Sequence, residues 1–217
     1  MDSPWAVIVM DFSSFLIGGL SANLLVIDVL IPHHDTPIHQ VFVLFSRRAE
    51  DVFFVLAGVD RVLRWLSDKT QHLLVFTDGG PAHFRCTSYV QEWGRRKREN
   101  RWIRALELRY FAPYHGSYVC DGIAAIVKRK LGTKVRNVHH SLTSLDMAAE
   151  VIATTGVWDV SVVGDKEPSI EPASTFRGLK NFYVWYIWDT IAVAFKTYED
   201  ARNSGPNVHT FRLSKDS

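Results

Sequence analysis

The sequence contains few cysteines, and this scarcity excludes two classes of protein. Only two, Cys86 and Cys120, occur among 217 residues. Two thiols cannot form the disulfide framework of a small secreted domain, and they cannot supply all four ligands of a structural zinc site. The cysteine content is therefore typical of a protein in a reducing intracellular compartment.

The sequence also lacks an uninterrupted apolar segment of membrane-spanning length. The most apolar region, residues 5–31, is interrupted by Asp11, Asn23, Asp28 and a pair of glycines. A membrane helix needs about 20 consecutive, mostly apolar residues. No basic region precedes the apolar N-terminal run, so the sequence predicts a buried strand there and no signal peptide. We therefore expect no membrane partner.

An excess of charge of one sign is absent too. The 25 Lys and Arg residues nearly balance the 23 Asp and Glu residues, for a net charge of +2. The overall charge therefore does not indicate a nucleic-acid partner, and the local distribution of charge has to decide that question. Hydrophobic residues make up 47% of the chain, as in a packed globular protein and unlike a disordered one.

Apolar and aromatic runs separated by short turns predict three strands near the N-terminus, followed by helices that alternate with strands. The predicted elements are strands over 5–17, 24–31 and 40–46, a helix over 50–68, a strand over 72–77, a helix over 83–103, a strand over 105–112 and a helix over 118–131. This is the order of the RNase H-like fold. We predict an α/β protein with a mixed five-stranded sheet, in which three antiparallel strands are followed by strands joined by helices, with flanking helices.

The predicted domain organisation has three parts. Residues 1–135 form an RNase H-like catalytic core, and residues 136–199 form a C-terminal extension of that core with a helix and strands. Within the extension, residues 143–154 are predicted to be helical and residues 157–163 and 182–195 to be strands. Residues 200–217 are predicted to be a polar tail.

Three aspartates occupy positions where such a fold brings side chains together. Asp11 lies in the middle of the first apolar strand, where burial of a carboxylate is costly unless it is paired or bound to a cation. Asp78 ends the fourth strand, and Asp121 opens the helix that follows the fifth. Because the first and fourth strands are neighbours in this topology, we expect the three carboxylates to converge at one site.

Three converging carboxylates predict a site for two Mg²⁺ or Mn²⁺ ions. Both are hard cations that prefer oxygen ligands. A pair of such ions activates the attacking oxygen and stabilises the leaving oxygen during phosphoryl transfer. With water as the nucleophile the reaction cleaves a strand, and with a DNA 3′-hydroxyl it joins strands.

Each aspartate also has an ordinary structural explanation. Asp11 is compatible with a strand edge or a turn, and Asp78 precedes Gly79 in a favoured turn pair. Asp121 places a favourable negative charge at a helix N-terminus. The active-site interpretation is preferred because all three occur together at the expected places in the topology.

Two segments carry a resemblance to a known family. Residues 76–85 read FTDGGPAHFR, and residues 111–129 read FAPYHGSYVCDGIAAIVKR. They resemble the WSDGPxxQFK-like and SHGKxxxDGIGGxxKR-like segments of a group of animal transposable-element proteins with an RNase H-like, DDE/DDD-type catalytic core. Residues 9–15, VMDFSSF, correspond to the first motif of that group, and the resemblance covers roughly residues 7–130.

The resemblance implies a DNA transposase core that performs two-metal strand cleavage and strand joining. It implies that Asp11, Asp78 and Asp121 are the catalytic and metal-binding residues, with Mg²⁺ or Mn²⁺ as the cofactor. His115, in the third motif, is a further catalytic candidate, and a structural role in its loop is an equal alternative. The resemblance also implies DNA as the partner, a possible homo-oligomer on DNA ends, and a nuclear location.

Several positions depart from the motifs of this group. Ser13, Ser14 and Phe15 replace acidic and amide residues after the first Asp, His83 replaces a Gln, and Ala124-Ala125 replace a double Gly. These departures keep two alternatives open. One is a domesticated, catalytically inactive module that binds DNA or protein, and the other is an RNase H-like nuclease.

Two basic clusters follow the second and third aspartates and are candidates for phosphate contacts. The proposed nucleic-acid-binding residues are Arg95, Arg96, Lys97, Arg98, Arg101, Lys128 and Arg129. Clustered Lys and Arg supply affinity for nucleic acid that is independent of sequence. The ordinary alternative is a solvated helix face. Trp93 and Trp102 lie nearby, and core packing is preferred over base stacking for both.

Overall fold

The computed structural model describes residues 5–33, 36–111, 118–138, 141–154, 156, 158–164, 181–203, 205 and 207–213, without the side chains of 118 and 138. The strands are β1 (Trp5–Ile17), β2 (Leu20–Ile31), β3 (Ile38–Ser46), β4 (His72–Thr77), β5 (Ala105–Tyr110), β6 (Trp158–Val162), β7 (Val184–Ile187), β8 (Ile191–Phe195) and β9 (Val208–Arg212). The helices are α1 (Val52–Leu66), α2 (Thr87–Glu99), α3 (Tyr118–Val138), α4 (Leu145–Ala153) and α5 (Tyr198–Asn203).

The strands form one mixed sheet in the order β6-β3-β2-β1-β4-β5-β7-β8-β9. β1, β2 and β3 are antiparallel neighbours, β4 lies parallel to β1, and β5 lies parallel to β4. The predicted mixed α/β arrangement is therefore confirmed. The predicted number of strands is wrong: the sheet has nine strands and not five, because β6 extends one edge and β7, β8 and β9 extend the other.

The C-terminal segments account for the additional strands. Residues 182–195, predicted as a single strand, form the antiparallel hairpin β7–β8. The segment predicted as a polar tail, 200–217, contributes the end of α5 and the strand β9, which pairs with β8. The extension and the core thus share one sheet.

Each face of the sheet is covered by its own helices. Alternate residues of β1 belong to two separate cores: Ala6, Ile8 and Met10 pack on the face of α1 and α2, and Val9 and Phe15 pack on the face of α3 and α4. This alternation follows from the period of two along a strand. Asp11 and Ser13, in step with Val9 and Phe15, therefore lie on the α3 face.

Local sequence explains why α1 sits close to the sheet. The Asp51 side chain caps the helix by accepting a hydrogen bond of 2.9 Å from the Phe54 amide. A Cβ atom at Gly58 would lie only 2.7 Å from the Ile27 side chain. The glycine, unfavourable in a helix interior, is therefore explained by the close approach of helix and sheet.

The helix α3 runs alongside β1. The Cys120 thiol donates to the Val9 carbonyl over 3.5 Å, and Lys128 Nζ lies 2.7 Å from Ser13 Oγ. From Cys120 to Lys128 the helix rises about 12 Å, and from Val9 to Ser13 the strand rises about 13 Å. The two elements therefore run side by side over this length. Asp121, in the first turn of α3, consequently lies about 5 Å from the level of Asp11 along the strand.

In the part of the chain that the structure describes, no helix has the length and apolar character needed to cross a membrane.

Candidate active site on strands β1 and β4

The register of two parallel strands places Asp11 beside Asp78. Met10 of β1 pairs with Thr77 of β4, and each aspartate is the next residue of its chain segment. Neighbouring strands lie about 4.8 Å apart, and paired positions of parallel strands direct their side chains to the same face. Two carboxylates that are distant in sequence are therefore adjacent on the α3 face of the sheet.

The carboxyl group of Asp11 is electrostatically strained. Burial and the charge of Asp78 raise its pKa to about 6, with a further contribution from the charge of Asp121. The Phe12 amide, which donates to Asp11 Oδ1 over 2.8 Å, and the charge of His83 act in the opposite direction. Asp11 thus interacts with both of the other predicted carboxylates.

The pKa of Asp78 is shifted in the opposite direction, below its ordinary value. Burial acts to raise the pKa of this carboxyl, but hydrogen bonding with His83 and the Gly80 amide, together with the charges of His83 and Arg85, holds it below its ordinary value. The Gly80 amide donates to Asp78 Oδ1 over 3.0 Å. Environments that push the pKa values of two adjacent carboxyls apart are typical of catalytic pairs.

His83 is a site residue that the sequence alone marked only as a departure from a motif. Its Nδ1 lies 3.1 Å from the Glu50 carbonyl oxygen, which can only accept, so Nδ1 carries the proton. Nε2 lies 3.6 Å from Asp78 Oδ1. Nδ1 is thus held by the main chain, and Nε2 is the ring nitrogen that faces the Asp78 carboxylate. Phe12 and Phe84 contact the ring edge-on at 4.8 and 4.6 Å between centroids.

The two glycines after Asp78 allow side chains to approach the carboxylate. A Cβ atom at Gly80 would lie 2.1 Å from His83 Nε2, and one at Gly79 would lie 3.0 Å from Arg85 Cζ. The Arg85 guanidinium is held between the rings of Tyr110 and Tyr183, at 4.6 and 4.4 Å from their centroids. The Asp-Gly-Gly sequence thus has a packing function in addition to its turn function.

Asp121 lies in the first turn of α3 with an exposed side chain. Among the described residues, no group of three or more His, Cys, Asp or Glu side chains could hold a metal ion as the side chains stand. The donor chemistry nevertheless fits a hard cation, because carboxylate oxygens are its preferred ligands. Such a cation would relieve the repulsion that Asp78 and Asp121 exert on Asp11.

The structure assigns Arg96 and Lys97 of α2 to the interior. Arg96 is 2% exposed and Lys97 is 7% exposed. Arg96 binds Asp60 through two nitrogens at 2.6 and 3.0 Å and binds Glu92 at 2.6 Å, while Lys97 binds Asp189 at 2.8 Å. The interpretation of these two residues as phosphate contacts is therefore corrected, because their charges are buried in ion pairs.

The remaining residues of this cluster do not flank the carboxylates either. Arg95 binds Glu92 and Glu99, Arg98 donates to the Asp189 carbonyl over 3.0 Å, and Arg101 is exposed just beyond α2. Because α2 covers the face of the sheet opposite to α3, the two basic clusters are separated by the sheet.

On α3, Lys128 donates to Ser13 Oγ over 2.7 Å, two positions beyond Asp11, and Arg129 is exposed. Lys128 is thus a predicted basic residue that lies on the same face as the carboxylates. Trp93 is fully buried and Trp102 packs against the same core, as preferred from the sequence. The proposed catalytic residue His115 lies outside the described residues.

Comparison with known proteins gives the fold but not the activity. No curated protein sequence matches the chain. The chain is similar to a protein in the simian T-cell lymphotropic virus intasome in complex with PP2A regulatory subunit B56 gamma, with a TM-score of 0.50 and 14% identity over 81% of this chain and 59% of that chain. The chain therefore spans less than two thirds of that protein. At this identity the likeness shows an RNase H-like fold alone.

Two further likenesses have lower TM-scores. One is the HTLV-2 integrase catalytic core domain in complex with magnesium, with a TM-score of 0.44 and 15% identity over 70% of this chain and 85% of that chain. The other is LC9-RNase H1, a type 1 RNase H with the type 2 active-site motif, with a TM-score of 0.42 and 14% identity over 81% of this chain and 95% of that chain. A family match covers more than half of the sequence: the chain belongs to the family described as a domain of unknown function, DUF8701, which matches residues 32–159.

Proposed function

We propose that this chain is the catalytic core of a metal-dependent polynucleotidyl transferase that acts on DNA, of the transposase and integrase type. The observation that carries the proposal is the adjacency of Asp11 and Asp78 on parallel strands, with the charge of Asp121 acting on the same site. Repelling carboxylates on one face of an RNase H-like sheet suit a polyvalent cation better than any structural role.

Asp11, Asp78 and Asp121 are the residues that would hold the ions, and His83 Nε2 supplies a nitrogen donor beside them. Bound Mg²⁺ or Mn²⁺ would activate the attacking oxygen and stabilise the charge of the leaving one. The chain itself orients the ligands: the Gly80 amide and His83 position Asp78, and the Phe12 amide positions Asp11. Lys128, held by Ser13, adds positive charge for a phosphate on the same face.

The assignment as a transposase, and not only as a nuclease, rests on the motif resemblance. Segments 76–85 and 111–129 support cut-and-paste strand transfer over simple hydrolysis, and with it a nuclear location and assembly on DNA ends. Arg98, Arg101 and Arg129 remain proposed as contacts to more distant phosphates, together with the partly engaged Arg95. The departures at Ser13 and Ser14 favour the alternative of a domesticated module that binds DNA without cleaving it.

A plasmid nicking assay tests the proposal. We expect the wild-type chain to nick supercoiled DNA in Mn²⁺, and Asp78→Asn to lose at least about 10³-fold in rate, since ions that stabilise the transition state contribute several kcal/mol. Asp146→Asn, an exposed acid in the first turn of α4, is the matched control and should nick normally. Equal nicking by Asp78→Asn and wild type would exclude the site.

Parallel substrates separate the alternatives. DNA binding without nicking in any divalent metal identifies the inactive binding module. Preferential cleavage of an RNA–DNA hybrid identifies an RNase H-like nuclease, because contacts to the 2′-hydroxyl distinguish the two substrates. Joining of a 3′-hydroxyl end to plasmid DNA identifies the transferase.

His83 leads to a prediction about metal preference. Imidazole favours transition metals, whereas amide oxygens suit Mg²⁺ as well. We expect His83→Gln to weaken Mn²⁺ binding by at least about tenfold, the loss typical even of residues that only orient metal ligands, with a smaller change for Mg²⁺. Melting temperatures in EDTA, Mg²⁺ and Mn²⁺ measure the effect. His33→Gln, beyond the far end of β2, is the control, and an unchanged Mn²⁺ shift in His83→Gln excludes His83 as a ligand.

A further inference from the structure

A cavity of about 490 Å³ opens on the sheet near the candidate carboxylates. Four of its seven lining residues are aromatic, and the other three are an arginine, a valine and a threonine. The lining residues are Phe76, Arg109, Tyr110, Tyr183, Val184, Thr197 and Tyr198.

The sheet register relates the cavity to the active site. Phe76 of β4 pairs with Arg109 of β5, and Arg109 pairs with Val184 of β7, so three lining residues form one row across the sheet. Phe76 also pairs with Val9 of β1. Asp11 and Asp78 come two positions after Val9 and Phe76. Residues two apart share a face and lie about 7 Å apart, so the cavity is one side-chain step from the carboxylates.

The walls of the cavity offer flat surfaces. The Arg109 guanidinium lies 4.5 Å from the ring centroid of Tyr198 and 5.7 Å from that of Phe76. Phe76 is itself stacked on Phe111, with 5.6 Å between centroids and 20° between planes. Tyr198, in α5, is 52% exposed, so its ring is available at the cavity mouth.

The charges select the class of ligand. Glu107, only 5% exposed, forms an ion pair with Arg109 Nε. The paired guanidinium therefore carries little net charge with which to attract a free anion or to repel a cation. A neutral, planar, polarisable group is the ligand that both the rings and the guanidinium face accommodate. A nucleobase has these properties, and stacking on aromatic rings tolerates any base.

We propose that this cavity binds an unpaired or extruded base of the nucleic-acid substrate, next to the phosphate that reacts at Asp11 and Asp78. The inference rests on the proposed function, because it takes the substrate to be nucleic acid. It adds a means of positioning: a base held in the cavity fixes the strand relative to the carboxylates, and extrusion of that base favours distorted or single-stranded ends. Phosphate contacts alone do not fix the strand at one position relative to the carboxylates.

The test uses fluorescence of 2-aminopurine placed at successive positions of a single-stranded oligonucleotide. The protein is the full chain carrying Asp78→Asn, so that no substrate is consumed. We expect quenching at one position near the 3′ end, and about tenfold weaker binding when that position is abasic, in line with the contribution of one stacked base. Adding Tyr198→Ala should abolish the quenching and weaken binding to a similar degree.

Two further variants test whether the quenching and the binding depend on the aromatic ring of Tyr198. Tyr198→Phe keeps the aromatic face and should retain the quenching. Trp188→Ala removes another exposed aromatic residue, 55% exposed in the turn between β7 and β8, and should change neither signal. Because Tyr198 belongs to a six-residue surface helix, its substitution is not expected to unfold the protein.

Failure of the base-cavity proposal and failure of the proposed function would give different results. Tight oligonucleotide binding that is insensitive to Tyr198→Ala and to the abasic position overturns the base cavity and leaves the proposed function intact. Absence of binding to any single-stranded, duplex or hybrid probe, together with absence of nicking by the wild type, overturns both.

Discussion

Asp11→Asn is expected to make the protein more stable in metal-free buffer and unable to nick DNA. Burial and the charges of Asp78 and Asp121 raise the pKa of Asp11 to about 6, from an ordinary value of 3.8. Above pH 6 the folded protein therefore holds an unfavourable negative charge that an amide removes. Because the group is only half-buried, solvent screening reduces the expected gain to about 1–2 kcal/mol of unfolding free energy.

The dependence on pH has a definite sign. A carboxyl whose pKa is higher in the folded than in the unfolded state makes the folded protein bind more protons, so this contribution to stability falls as pH rises from about 4 to about 6. Asp11→Asn should therefore resemble the wild type near pH 4 and exceed it above pH 6. Urea denaturation in EDTA at both pH values measures this difference.

Bound metal should make the wild type more stable than Asp11→Asn, the reverse of the order expected in EDTA. A ligand that binds only the folded state stabilises it in proportion to the logarithm of its concentration over Kd. Mn²⁺ should thus raise the melting temperature of the wild type and leave that of Asp11→Asn nearly unchanged. Asp146→Asn serves as the control with an unaltered response. If Asp11→Asn is less stable than the wild type at pH 8 in EDTA, the carboxylates do not repel one another.

The second large effect is expected at Arg96. Its guanidinium joins Asp60 on α1 to Glu92 on α2, and Glu92 is fully buried. Removing one partner of a buried ion pair costs about 3–5 kcal/mol, and the loss here should lie near the lower end because Arg95 also binds Glu92. We expect Arg96→Ala to lose this amount of unfolding free energy, a large part of the stability of an ordinary domain.

Chemical denaturation with a matched surface variant separates this role from DNA binding. Arg101→Ala, an exposed residue beyond α2, should change stability by less than about 0.5 kcal/mol. The double variant Glu92→Met with Arg96→Met should recover much of the loss, because apolar packing can replace a buried pair. Weaker DNA binding by Arg96→Ala at unchanged stability would restore Arg96 as a phosphate contact.

Local pattern was sufficient to predict most elements of the first 135 residues. Strand β4 was predicted with its observed ends, and β1 over the same span, because continuous apolar runs stop at turn residues. The span 182–195 was predicted as one strand, since apolar residues continue through Trp188. The backbone instead reverses between β7 and β8, where Trp188 donates to the Ile191 carbonyl over 2.8 Å. The hairpin is stabilised by cross-strand pairing, which depends on contacts outside the window of a local pattern.

Periodicity and residue type are local properties, so the amino-acid sequence was enough to predict the element order, the mixed sheet and the three candidate aspartates. Which charges meet depends on the packing of distant segments. That packing placed Asp11 beside Asp78 through strand register, brought His83 to the same carboxylate, and aligned Phe76 with Arg109 and Val184. It also removed Arg96 and Lys97 from the surface, because a run of basic residues on a helix does not reveal which face is buried or where its carboxylate partners lie.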